Sequence, residues 1–225
     1  VLDIGVGANC IFPIIGAAEY GWKFVGTDID PVAVRWGREL VRANPSLRRN
    51  LECRLQSSAH DIFPRVIKKG ERFDLSICNP PFHDSPEAAA AATRRKLQNL
   101  GGETASDPVS NFGGHDSELW CDGGEAAFIE RMIRQSADQP DACGWFTSLV
   151  SKREHLPEIH TALQAANVRE HRTLEMTHGR KKTRIVAWTF RPAGILHGPA
   201  GPITQKIRPP AELPSRPTNP RSSLP

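Results

Sequence analysis

Asn79, Pro80, Pro81 and Phe82 close the apolar run LSIC (75–78) with an amide, two residues lacking a backbone N–H and an aromatic ring. Adjacent prolines cannot continue a sheet ladder, so a strand must stop here with its end held rigid. That end suits a flat ring bearing an amine. Such an amine is a poor nucleophile, because its lone pair is delocalised into the ring. Two acceptors aimed at its N–H bonds orient it and favour a pyramidal nitrogen as a bond to carbon forms. The Asn79 side-chain carbonyl and the Pro80 main-chain carbonyl can serve, pre-organised by the two prolines. Phe82 offers a face for the ring; a base–aromatic stack contributes roughly 1–3 kcal/mol, comparable to the few kcal/mol that extruding a base costs. Asn79, Pro80, Pro81 and Phe82 are therefore the expected catalytic group. Taken alone, Asn-Pro-Pro serves equally well as a strand-ending turn.

A second constellation opens the chain. Asp3-Ile4-Gly5-Val6-Gly7 puts a glycine turn after an apolar strand, where backbone can approach a ligand and the next helix offers free N–H groups. Asp28 ends a second strand, where a carboxylate can accept hydrogen bonds from ribose hydroxyls. The dinucleotide fingerprint G-x-G-x-x-G fails, because Cys10 stands at its last glycine. Asp3 sits badly beside a pyrophosphate and well beside a sulfonium cofactor with an amino-acid tail. D-x-G-x-G followed by an acid-terminated strand resembles the S-adenosylmethionine-dependent methyltransferases of the doubly wound α/β type. The resemblance implies that Asp3, Gly5 and Gly7 form the cofactor turn, that Asp28 holds the ribose, and that Ser58 lies near the adenine. Displacement on an activated methyl needs neither a metal nor a nucleophilic cysteine.

The elements that must position these residues follow from pattern. VLDIGVG (1–7) reads as a buried strand entering a turn, followed by a helix from Cys10 to Tyr20 that ends near Gly21. KFVGTDID (23–30) is a second strand. Asp30 caps the next helix, PVAVRWGRELVRAN (31–44), with Pro31 at its first position. LECRLQS (51–57) and RFDLSICN (72–79) read as strands, and PEAAAAATRRKLQNL (86–100) as a helix. A long polar loop covers 103–122, with Trp120 expected in the core. Then come the helix GEAAFIERMIRQSA, the strand GWFTSLVS (144–151) and the helix REHLPEIHTALQAAN (153–167), despite Pro157. VREHRTLEMT (168–177) and TRIVAWTF (183–190) close the pattern as a hairpin. Alternating strands and helices predict a doubly wound, Rossmann-like α/β fold. Its seven-stranded sheet is mainly parallel, with an antiparallel C-terminal hairpin. Residues 1–190 are expected to form this domain, and the Pro-rich stretch 191–225 a disordered tail.

Bulk properties narrow the class. The 225 residues are 39% hydrophobic and 24% charged, which fits one sizeable soluble domain. No apolar run approaches a membrane span, and no signal peptide opens the chain. Val1 already lies in a core strand, so a further segment is expected upstream. Five scattered cysteines form no C-x-x-C pair, which argues against a disulfide framework or zinc site and for a reducing cytoplasm. The net charge of +4 resides in the tail, where five bases from Arg191 onward face Glu212 alone. Only local clusters can then argue for nucleic acid. Arg94-Arg95-Lys96 and Arg180-Lys181-Lys182, with Arg184, are the candidate RNA contacts; a solvated face is the plainer reading of each. His83 and Asp84 flank the Asn-Pro-Pro motif and can position its loop.

LDIGVGANCIFPIIGAAEYGW, CNPPFHDS, NFGGHDSELWCDGGE, GWFTSLVSK and GRKKTRIVAWTF together resemble the bacterial 23S ribosomal RNA adenine N6-methyltransferases of the F type. The likeness runs from Val1 to Phe190. It implies an S-adenosylmethionine-dependent enzyme that methylates the N6 of one adenine in large-subunit rRNA, either free or in an assembly particle. A cytoplasmic monomer without metal is expected. Two other readings stay open: methylation of a protein glutamine, whose primary amide an Asn-Pro-Pro end holds equally well, and an RNA-binding module without catalysis. Phe82, where glutamine enzymes tend to carry tyrosine, favours RNA, and the intact Asp3, Gly5, Gly7, Asp28 and Asn79 favour an enzyme.

Overall fold

The computed structural model describes residues 1–85, 87–88, 90–91, 120–178 and 181–192. Three consecutive buried residues form β1 (Leu2–Ile4), and β2 (Phe24–Asp28) is buried along its whole length. Both are buried without alternation, as parallel strands covered on two faces must be. Next come β3 (Leu51–Leu55), β4 (Phe73–Cys78) and β5 (Cys143–Val150). The strands β6 (Glu170–His178) and β7 (Lys181–Thr189) follow at the end. They form one sheet in the order β3-β2-β1-β4-β5-β7-β6. The first five strands run parallel, and β7 is antiparallel to both β5 and β6. The expected architecture is borne out, hairpin included.

Helix limits follow local chemistry. α1 (Ile11–Tyr20) ends on Gly21, whose φ of 66° lets its N–H reach the Ala17 carbonyl at 3.1 Å. α2 (Pro31–Ala43) starts as expected: Asp30 Oδ1 accepts the Val32 N–H at 2.8 Å. α3 (Gly124–Asp138) begins at two glycines with positive φ, Gly123 as its N-cap and Gly124 as its first residue. The helix expected over 153–167 is split into a 3₁₀ turn, Arg153–His155, and α4 (Leu156–Ala165). Pro157 causes the split, since a residue without an N–H fits only the first turn of an α-helix.

Helices cover both faces of the sheet. On one, Val34 of α2 joins Phe24, Leu51, Cys53, Val6 and Cys10. On the other, Ile129, Met132 and Ile133 of α3 and Ile159 and Leu163 of α4 pack on Leu2, Ile4, Phe146 and Trp188. Each fully buried aliphatic or aromatic side chain stabilises by about 1.5–3 kcal/mol. Trp188 is fully buried, stacks on Phe146 with ring centroids 5.9 Å apart, and satisfies its indole N–H on Ser136 Oγ at 2.9 Å. Residues 87–88 and 90–91 are helical, as expected for the alanine-rich stretch. The remainder of that helix, most of the 103–122 loop and the tail from 193 lie outside the described residues.

Candidate active site

Register fixes the site. β1 and β4 are parallel neighbours with Ile4 opposite Cys78, so the residues that follow, Gly5 and Asn79, leave the sheet side by side. Thr27 of β2 is also opposite Ile4, and its carbonyl accepts the N–H groups of both Gly5 and Val6 at 2.9 Å. Gly5 (φ 72°) and Gly7 (φ 63°) occupy the left-handed region, where glycine is the residue without strain. A Cβ built on Gly5 would meet nothing within 4 Å, so the turn faces open space. That space is a cavity of about 450 Å³, within the range of small-molecule sites.

Gly5, Asp28, Asn79, Pro81 and Phe82 all line this cavity. Asn79 is exposed and Phe82 half-buried, while Pro80 is buried behind the rim. Gly7 lies off the cavity and donates its N–H to Asp28 Oδ2 at 2.9 Å; Asp28 Oδ1 takes the Asp30 N–H at 2.9 Å. Burial raises the Asp28 carboxyl above its ordinary pKa, opposed by the N–H groups of Asp30 and Gly7. Asp3 is 1% exposed, and neither carboxylate oxygen has a hydrogen-bond partner among the described residues. Burial, with Asp28 nearby, pushes its pKa up to about 8. An orphaned buried carboxyl is costly unless a partner beyond the described residues meets it. A glycine turn facing open space and the Asp28 carboxylate on the wall fit a sulfonium cofactor, whereas Asp3, buried in β1, is absent from the cavity lining.

Sequence reading missed several lining residues. The segment after β3 contributes Gln56, Ala59, His60, Asp61 and Ile62. Ser58 is absent from the lining; its N–H is turned to Gln56 Oε1 at 3.1 Å. One distant side chain pins this segment. Gln135 of α3 accepts the Ile62 N–H at 2.7 Å and donates to the His60 carbonyl at 2.6 Å. Arg54, nearly buried, donates to the Val66 carbonyl and to Glu71, both at 2.6 Å. Opposite, Trp120, Cys121, Asp122, Phe128 and Arg131 complete the wall. Trp120 corrects the expectation of a core residue: it is half-buried and lines the cavity. Burial raises the thiol pKa of both Cys78 and Cys121, so the two cysteines at the cavity are neutral thiols, not thiolates.

The basic clusters fare differently. Arg94, Arg95, Lys96 and Arg180 lie outside the described residues; Lys181 begins β7 and Lys182 is exposed. Arg184 is not a free RNA contact. It is 6% exposed and donates to Glu175, directly opposite on β6, at 3.2 Å.

A family model described as RNA methyltransferase matches residues 1–192. The chain belongs to this RNA methyltransferase family. Among curated relatives, the family member from Yersinia enterocolitica named ribosomal RNA large subunit methyltransferase F is 54% identical over 191 residues, covering 84% of this chain and 57% of that protein. Its namesake from Serratia proteamaculans is 51% identical over 194 residues, covering 86% and 58%. The resemblance to the F-type enzymes expected from the motifs is thus borne out, although the chain spans little more than half of these relatives' length. Among solved structures, the hMettl16 catalytic domain in complex with MAT2A 3'UTR hairpin 1 superposes with a TM-score of 0.68 at 24% identity, covering 84% of this chain and 63% of that one. The N-terminal domain of human METTL16 in complex with SAH gives 0.62 at 22% identity, covering 85% and 61%. At that identity the two share the methyltransferase fold.

Proposed function

We propose that the protein transfers a methyl group from S-adenosylmethionine to the N6 amine of an adenine in the 23S rRNA of the large ribosomal subunit. The observation that carries this reading is the register of β1 and β4, which brings Gly5 and Asn79 together in one cavity with Phe82. Asp3, Gly5, Gly7 and Asp28 hold the cofactor: Asp3 meets its cationic end, and Asp28 accepts from the ribose hydroxyls with the lone pairs its two N–H bonds leave over. Bound there, the cofactor supplies a methyl carbon activated by an adjacent sulfonium. Asn79 and the Pro80 carbonyl accept from the two N–H bonds of the amine and aim its lone pair at that carbon. Phe82 stacks on the base. Held through its N–H bonds by Asn79 and the Pro80 carbonyl, the amine leaves its surplus proton to solvent.

RNA is held by the exposed Lys182 and by Arg94, Arg95, Lys96, Arg180 and Lys181. The enzyme acts as a monomer in the cytoplasm, in keeping with five free cysteines. Among the described residues, no helix is long and apolar enough to cross a membrane. The test is incubation of the full-length enzyme with methyl-labelled cofactor and, in parallel, protein-free large-subunit rRNA, ribosomal particles or a release factor. Label recovered as N6-methyladenine in 23S rRNA is the expected result; label on a release-factor glutamine would establish the other reading of the Asn-Pro-Pro end.

A further inference from the structure

A planar base has two faces, and the reading above, on which this inference rests, gives Phe82 only one. Phe82, Trp120, Phe128 and His60 bring rings to the cavity wall. Phe128 is engaged elsewhere: the Arg131 guanidinium sits over its ring at 5.5 Å, and the side chain packs against the main core. His60 belongs to the segment after β3, where Gln135 fixes its carbonyl. Trp120 differs from both. It pairs through its backbone with His83, the residue after Phe82, and the Cys121 N–H donates to the His83 carbonyl at 3.0 Å. The strip carrying the indole is thereby stapled to the strip carrying the phenyl ring.

The strip is also anchored from behind. The Cys121 carbonyl accepts the Gly124 N–H at 2.8 Å, and Cys121 Sγ lies 3.3 Å from the Gly124 carbonyl. The next residue, Glu125, is 1% exposed and accepts from the Ser151 N–H at 2.7 Å while pairing with His155 Nδ1 at 2.6 Å. The backbone that carries Trp120 is thus fixed, and its indole, half-buried on a cavity wall, stacks on no other ring among the described residues. We propose that Trp120 is a substrate-contacting residue that covers the face of the extruded base left open by Phe82, so that the base is clamped between two aromatic rings.

The full-length enzyme, methyl-labelled cofactor and protein-free large-subunit rRNA provide the test, read as KM for RNA, kcat, and cofactor Kd by calorimetry. Stacking of one base on one ring predicts that Trp120→Ala raises the KM for RNA about tenfold. Cofactor Kd should stay within twofold, and Trp120→Phe should recover most of the loss. Trp120→Leu, which keeps apolar bulk without a π face, guards against a folding defect and should behave like the alanine variant. Phe82→Ala is run alongside. An unchanged KM in both the Ala and Leu variants, with Phe82→Ala still impaired, overturns the role of Trp120 and leaves the base slot standing. A parallel rise in cofactor Kd, or a Leu variant as active as wild type, also overturns it. Absence of label in RNA with the wild-type enzyme removes the underlying reading instead.

Discussion

Asp28 accepts the Gly7 N–H at 2.9 Å through one carboxylate oxygen and the Asp30 N–H at 2.9 Å through the other, so one acid ties the glycine turn to the end of β2 and to the start of α2. The turn is thereby built before any ligand arrives. Asparagine cannot reproduce this. It keeps one acceptor oxygen and sets an NH₂ against an N–H that needs an acceptor. Asp28→Asn should therefore weaken cofactor binding at least tenfold and lower stability by about 1–3 kcal/mol, read by calorimetry and urea unfolding. A variant that lost affinity with no loss of stability would assign Asp28 to the ligand alone.

If Asp3 meets the cationic end of the cofactor as proposed, binding should be a proton-linked event. With its pKa raised to about 8, the folded protein holds a proton near neutrality that the unfolded chain has released. Stability of the ligand-free protein should accordingly fall as pH rises from about 4 through about 8, because the folded state binds more protons over that interval. A cationic ligand reverses the balance by favouring the ionised carboxylate. At pH 7, calorimetry in buffers of different ionisation enthalpy should show wild type releasing close to one more proton per cofactor bound than Asp3→Asn. Equal release by the two proteins would show that Asp3 does not meet the cation.

Asn79 is exposed at the rim, beside Gly5, and contributes little to folding. Asn79→Ala should lower kcat by about 10²–10³-fold, the usual effect of removing one pre-organised polar group at a reacting centre. Cofactor Kd and unfolding midpoint should stay near wild type. Unchanged turnover would remove the amine grip.

Much of this site was legible because its residues sit where strands end, and strand ends are written locally. Asp3-x-Gly5-x-Gly7, Asp28 and Asn79-Pro80-Pro81 each announce the end of an apolar run, and parallel order does the rest. What stayed hidden depends on long-range pairing. The segment after β3 lines the cavity because Gln135, on a helix far along the chain, grips its main chain. Trp120 reaches the wall through a single bridge to His83, where composition alone suggested core. Arg184 looked like part of a basic run until register set Glu175 opposite it. No pattern of residue types along one strand contains that information.

Among the described residues Glu125 is the most deeply buried carboxylate with hydrogen-bond partners, and it joins α3 to the corner after β5. Removing one member of such a pair strands the other groups in a dry site. Glu125→Ala should lower stability by about 3–5 kcal/mol. Glu125→Gln retains an acceptor and should cost less. The difference is measurable by urea unfolding. Both variants should also raise KM for RNA through the strip that carries Trp120, beyond what Asn79→Ala does.

Gly26 tests whether the cofactor turn is shaped from beneath. A Cβ at this position of β2 would come within 2.7 Å of Val6 Cγ2 and 3.0 Å of Val6 Cβ, and Val6 is the residue between the two turn glycines. Neither atom is the far end of a flexible chain, because a β-branched side chain has little rotamer freedom to yield. Gly26→Ala must therefore lift the turn or spread the strands, an overpacking cost of about 1–3 kcal/mol. Cofactor affinity should fall with it. Val6→Ala removes the opposing methyl groups, so in the double variant Gly26→Ala/Val6→Ala both losses should shrink relative to Gly26→Ala alone. A double-mutant cycle on unfolding free energy and cofactor Kd reads the coupling directly; additive effects in both would mean that Gly26 and Val6 do not act on the turn together.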